Sequence, residues 1–165
     1  ALAEQQKNNL SFRLQPNQKP MPHVKVWIHF VWSTKNRQPL LTDEIRQKVF
    51  RHIRENARVK GIHIDFINGY TNHVHCLISL GTDQTIGKTM QLIKGESSFW
   101  INKNNLCRGK FEWQDEYFAV SVNESTLESV RKYIANQEAH HRSRSFEEEF
   151  EDFLKRAGFE RLKDK

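Results

Sequence analysis

The residues most able to do chemistry lie in two short segments. In Asn72-His73-Val74-His75-Cys76-Leu77-Ile78, two imidazoles sit two positions apart within a run of strand-forming residues. Alternate side chains of a strand share a face, so His73 and His75 point the same way about 7 Å apart, and Cys76 points away from them. Neutral imidazoles on one rigid face can both reach a single divalent cation. The second segment, Val130-Arg131-Lys132-Tyr133-Ile134-Ala135-Asn136-Gln137, reads as helix and puts Tyr133 and Gln137 one turn apart on one face. A phenol titrates near 10 and is a weak nucleophile at neutral pH, so it needs an electrophile that is already activated. A metal on His73 and His75, completed by the amide oxygen of Gln137, would polarise a phosphodiester for in-line attack by Tyr133. Each segment also has a plainer reading. Two histidines can lie on a solvated sheet face, and a tyrosine beside a core stripe can simply pack.

The elements that must position these groups follow from hydrophobic period. Val24, Val26, Ile28, Phe30 and Trp32 alternate with Lys25, Trp27, His29 and Val31, which predicts a strand. A polar loop, Ser33–Pro39, follows. Thr42, then Asp43 and Glu44, marks a helix start, and Ile45, Val49, Ile53 and Ala57 form its inner stripe before Gly61. Strands are expected over 62–69 and 72–80, joined as a hairpin, then a helix over 84–102 and a strand in Tyr117–Val122. One helix is predicted from about Ser125 to about His141 and another over 145–157, with Phe146, Phe150, Phe153 and Leu154 inward. The order β-α-β-β-α-β plus two helices is the ferredoxin-like plan. It is an α+β fold whose antiparallel sheet carries helices on one face, followed by C-terminal helices.

Composition narrows the class of function. A chain of 165 residues suits one domain, expected over 22–165. Residues 1–21 lack periodicity and read as a flexible leader, in part vector-derived, with Met21 a candidate natural start. No apolar run approaches the roughly 20 residues that span a bilayer, and the polar start does not resemble a secretory signal. Two cysteines are too few for a disulfide framework and fit a reducing cytoplasm. Lys and Arg number 26 against 20 Asp and Glu, a net charge of +6 that favours a polyanionic partner. Lys35, Arg37, Lys88, Lys94, Arg131 and Arg142 are the candidate DNA contacts.

Taken together, these features resemble the single-tyrosine HUH transposases of insertion sequences that move as single-stranded DNA. The resemblance rests on His73-Val74-His75 and on Tyr133 with Gln137. Val31-Trp32-Ser33-Thr34-Lys35-Asn36-Arg37, Lys94-Gly95-Glu96-Ser97-Ser98, Phe111-Glu112-Trp113-Gln114 and Ser145-Phe146-Glu147-Glu148-Glu149-Phe150 support it. It covers about residues 22–158, and Tyr117-Phe118-Ala119-Val120 follows the family pattern only loosely. The resemblance implies Tyr133 as nucleophile, His73, His75 and Gln137 as ligands, and Mg²⁺ or Mn²⁺ as cofactor. It further implies cleavage and rejoining of single-stranded DNA at hairpin-marked ends through a 5′-phosphotyrosine. A homodimer is also implied, in which the tyrosine helix can serve its own or its neighbour's histidines. Three rival readings follow from the same residues. One is an HUH replication or relaxase-type nuclease. Another is a non-catalytic module that stacks bases on Trp27 and Tyr70. The third is a metal hydrolase indifferent to Tyr133.

Overall fold

The computed structural model describes residues 22–156 and Gly158; the expected leader over 1–21 lies outside the described residues. Strand β1 spans Val26–Thr34, helix α1 Asp43–Val59, β2 His63–Gly69, β3 His73–Leu80, α2 Ile86–Lys103 and β4 Trp113–Val122. Three short helices follow: α3 Leu127–Ala135, α4 Gln137–His140 and α5 Phe146–Arg156. The four strands form one sheet in the order β2-β3-β1-β4, every neighbouring pair antiparallel. This is the ferredoxin-like α+β arrangement that the pattern of periods predicts.

The first face of the sheet carries the main core. Phe30 and Trp32 of β1, with Val74, Cys76 and Ile78 of β3, pack against Val49, Phe50 and Ile53 of α1 and Met90, Ile93 and Ile101 of α2. Helix α1 stops where the stripe predicts, because Gly61 takes a positive φ of 70° that a side chain would resist. Its buried row includes Arg46, only 1% exposed, which the apolar stripe did not foretell. Arg46 Nη2 bonds Glu138 Oε1 at 2.5 Å and Asp43 Oδ1 at 2.8 Å, so the buried cation is paired and ties α1 to α4.

The second face is covered as well. Leu77 meets Leu127 and Ile134 of α3. Val31 and Phe118 meet Phe146, Phe150, Phe153 and Leu154, the expected inner row of α5. With both faces covered, β1 is buried on both sides over 28–34, including polar His29, Ser33 and Thr34. The long helix expected over 125–141 is broken. A single 3₁₀ turn occupies Glu124–Thr126, and Asn136 leaves helical geometry at φ −94°, ψ 18° between α3 and α4. Hydrophobic period alone cannot register such a break, because the side-chain stripe continues through it. The hairpin between β2 and β3 closes tightly on the site. A Cβ at Gly69 would lie 2.2 Å from the His73 carbonyl oxygen, so only glycine fits there.

Candidate metal and tyrosine site

The candidate site occupies the seam between the two apolar patches of the second face. It is built on β3 and roofed by α3, α4 and α5. His73 and His75 project into it from β3, and both are fully buried. The plain reading of a solvated histidine pair is therefore excluded. Helix α5 supplies Glu149, 2% exposed, whose carboxylate lies 3.6 Å from both His73 Nε2 and His75 Nε2. One ligand atom from each of these three residues falls within 4.8 Å of the other two.

The remaining ring nitrogens are already committed, and that fixes which atoms are free. His73 Nδ1 lies 2.8 Å from Asn72 Oδ1, which can only accept; this shorter contact favours the proton on Nδ1, the tautomer whose Nε2 lone pair faces inward. His75 Nδ1 lies 3.1 Å from Nε2 of buried His29, leaving His75 Nε2 toward Glu149. His75 Nε2 and Glu149 Oε2 are both buried without a hydrogen-bond partner. His141 Nε2 stands 2.9 Å from that oxygen but without hydrogen-bond alignment.

Burial holds the imidazoles of His73, His75 and His29 well below their ordinary range, and the neighbouring histidines add to the effect. Burial pushes the Glu149 carboxyl the other way, up to about 8. Neutral imidazoles beside a buried carboxyl that gives up its proton to a bound cation are a donor set a divalent metal satisfies.

Gln137 is fully buried in the same seam. Its Oε1 lies 3.3 Å from His73 Nε2 and 3.2 Å from His141 Nε2. Its Nε2 donates to the Tyr133 carbonyl at 3.4 Å and to Glu149 Oε1 at 3.4 Å. Gln137 thus touches the tyrosine helix, two histidines and the Glu149 carboxyl. Tyr133 is half-buried, its ring centroid 5.6 Å from that of His75 and 5.4 Å from that of His140. With His29, His140, Glu149 and Phe153 it lines a cleft of about 390 Å³.

Glu149 escaped the sequence reading, although a signal was present. It lies on the same helix face as Phe146, Phe150 and Phe153, so it is an acid inside an apolar row. Glu147, Glu148 and Glu149 together look like first-turn acids complementing a helix dipole, which hid the one that turns inward. His29 lies on the same strand face as Val31 and was passed over as one of the alternating residues of β1.

The basic candidates separate. Lys35 pairs with Asp115 at 3.2 Å, Arg37 with Glu147 at 3.0 Å, and Lys94 Nζ donates to the carbonyls of Gln114 and Asp115, so these three gather near the start of β4. Arg131 is held by Asp65 at 2.7 Å and by Glu128. Lys88 is exposed on α2, and Arg142 is exposed in the turn between α4 and α5. Trp27 and Tyr70 do not form an open stacking platform. Tyr70 stacks on His141 at 5.2 Å, and the Arg131 guanidinium lies 5.8 Å from the Trp27 ring.

Fold and site thus define an α+β protein with a histidine–carboxylate centre beside a helix-borne tyrosine. The chain belongs to the family of IS200-like transposases, whose model matches residues 23–137. It is 27% identical over 115 residues to the ISDra2 transposase TnpA of Deinococcus radiodurans, covering 66% of this chain and 81% of that one. Two solved structures share its fold. One is a transposase candidate from Deinococcus radiodurans R1, at a TM-score of 0.56 and 24% identity, covering 73% of this chain and 97% of that one. The other is a REP-associated tyrosine transposase bound to a REP hairpin, at a TM-score of 0.57 and 17% identity, covering 75% of this chain and 73% of that one. The family match takes in His73, His75, Tyr133 and Gln137 and stops before Glu149. Among the described residues no helix is long and apolar enough to cross a membrane.

Proposed function

We propose that this transposase cleaves and rejoins single-stranded DNA with Tyr133 as nucleophile, assisted by a divalent metal, Mg²⁺ or Mn²⁺. The observation that carries the reading is the Tyr133 ring 5.6 Å from His75, whose inward Nε2 is buried and unbonded. His73, His75 and Glu149 would hold the metal, with the Gln137 amide oxygen as a further donor. When bound, it supplies Lewis acidity to the scissile phosphate and positions its oxygens.

Tyr133 Oη attacks phosphorus in line, the P–O3′ bond breaks, and a 3′-hydroxyl leaves with one proton. The 5′-phosphate stays on tyrosine, and a 3′-hydroxyl attacking that ester restores a phosphodiester, so no external energy source is needed. His140, a neutral imidazole whose ring lies 5.4 Å from that of Tyr133 in the cleft, is the group that can receive the phenol proton. DNA hairpins at element ends are the proposed substrate, and a cytoplasmic homodimer the proposed working form.

The experiment is to incubate the protein with labelled hairpin DNA and Mn²⁺, then look for a covalent adduct on a denaturing gel. The adduct should vanish with chelator, with Tyr133→Phe and with His73→Ala, while Glu149→Gln should raise the Mn²⁺ concentration required. Cleavage that survives Tyr133→Phe would sink the reading in favour of a metal hydrolase, and binding without cleavage would favour a non-catalytic module.

A further inference from the structure

Edge strand β2 supplies no group to the chemistry described above, yet it is the strand that the tyrosine helix α3 packs against most extensively. We propose that Asn68 and Asp65 of β2 are positioning residues for Tyr133, holding α3 in the register that sets the phenol beside His75; this rests on the phosphotyrosine reading given above.

The strand is shaped to present these two side chains. Ile64 pairs with Ile78 and Phe66 with Leu77, so Asp65 is the extra residue of a β-bulge. The bulge changes the face that the strand offers. Ile64 lies in the main core of the first face, and in an unbroken strand Phe66 and Asn68 would follow it there. The extra residue instead puts Phe66 with Leu77 and Ile134 in the apolar patch of the second face. Asn68 comes two residues later, directly opposite His75 across the ladder.

Two polar grips then join β2 to α3. Asn68 Nδ2 donates to the Ile134 and Ala135 carbonyls, both at 3.0 Å. These are the last two carbonyls of α3, and carbonyls at a helix end need partners from outside the helix. A side chain one rung from His75 thus holds the backbone one and two residues beyond Tyr133. On the other side of the tyrosine, Arg131 meets the bulge residue twice. Its Nε donates to Asp65 Oδ2 at 2.7 Å and its Nη2 to Asp65 Oδ1 at 3.3 Å. Such a two-point pair fixes geometry as well as contact. Tyr133 therefore sits between the two grips, and Arg131, singled out by charge as a DNA contact, has a task within the fold.

Leu127 and Ile134 also hold α3 on the sheet, but apolar contact is non-directional and does not set where a helix stops along a strand. The polar grips do. In-line attack depends on that placement, since a misplacement of about 1 Å can cost roughly 100-fold in rate. Asn68 is only partly buried, so water can replace its amide at the two carbonyls and the fold should survive its loss.

The test is single-turnover formation of the Tyr133 adduct on hairpin DNA at saturating Mn²⁺, read beside the thermal midpoint of each variant. Asn68→Ala should slow the step about 10–100-fold with little change in midpoint, and the half-saturating Mn²⁺ concentration should stay near wild type. Asn68→Asp, equal in size but an acceptor facing two carbonyls, should be slower still. Asn68→Gln, which keeps a donor, should be the fastest of the three, and Asp65→Asn should also slow the step. In metal-free protein without DNA, NMR cross-relaxation between the Tyr133 and His75 rings, 5.6 Å apart, should weaken in Asn68→Ala. Wild-type rates in Asn68→Ala and Asn68→Asp, a ranking by side-chain size instead of donor, or a rate that falls only as the midpoint falls would each overturn the assignment. Ring contacts that weaken as expected in a protein whose wild type forms no adduct would leave the placement of Tyr133 by β2 standing and sink the phosphotyrosine reading, so the two failures are told apart.

Discussion

His29 shows how a residue standing behind a ligand histidine can decide what that histidine is able to do. For His75 to offer Nε2, its proton must sit on Nδ1, and the acceptor within reach is His29 Nε2 at 3.1 Å. Leucine at position 29 would strand that buried N–H and favour the opposite tautomer. His29→Leu should therefore weaken Mn²⁺ binding by roughly 10–100-fold, the usual effect of removing a partner behind a ligand histidine. His29→Gln, whose amide oxygen can accept the same proton, should recover much of the loss. Titration by calorimetry or by the Mn²⁺ paramagnetic resonance signal checks both variants. Leucine binding Mn²⁺ as well as wild type would show that His29 merely packs.

At the scale of elements, the seating of α2 on β4 turns on one polar contact inside the main core. The fully buried Ser97 hydroxyl donates to the Ile93 carbonyl at 2.6 Å and accepts from Trp113 Nε1 at 2.9 Å. Trp113 in turn packs edge-on against Trp32 and Phe111. Ser97→Ala removes the acceptor and leaves a buried indole N–H without a partner, which costs about 1–3 kcal/mol. Urea unfolding should show a lower midpoint with an unchanged slope, because the surface exposed on unfolding hardly alters. An unchanged midpoint would mean that the indole finds another acceptor. The break at Asn136 belongs to this scale too. It ends the tyrosine helix just before Gln137 and starts the short α4 that places His140 over the cleft.

For the molecule as a whole, the central question is whose tyrosine serves which histidines. Within one chain the Tyr133 ring already lies beside His75, and the Gln137 amide joins the Tyr133 carbonyl, the Glu149 carboxylate and His73. A site closed by three elements of one chain needs no residue from a neighbour, even in a dimer. Mixing Tyr133→Phe protein with His73→Ala protein should therefore restore no adduct on the hairpin substrate. Restored adduct formation would show that tyrosine helices are exchanged between subunits.

Much of this was legible along the chain because it depends on short-range geometry. A two-residue period puts His73 and His75 on one face of β3 and Cys76 in the core beneath; a helical period puts Tyr133 and Gln137 one turn apart. Those relations are set within a single element, so amino-acid order determines them directly. The strand and helix order likewise implied the antiparallel sheet, since few topologies accommodate it. What the tertiary structure alone decided is which separate elements meet. The docking of α5 beside α3 and α4 on the second sheet face completes the burial of the histidine pair and brings Glu149 within 3.6 Å of both rings. The same docking keeps the Glu149 carboxyl out of water, which pushes it up to about 8. The physical reason is that a stripe of phenylalanines specifies that a helix must be covered but not by what, and the partner surface is assembled from strands more than 20 residues distant in the chain.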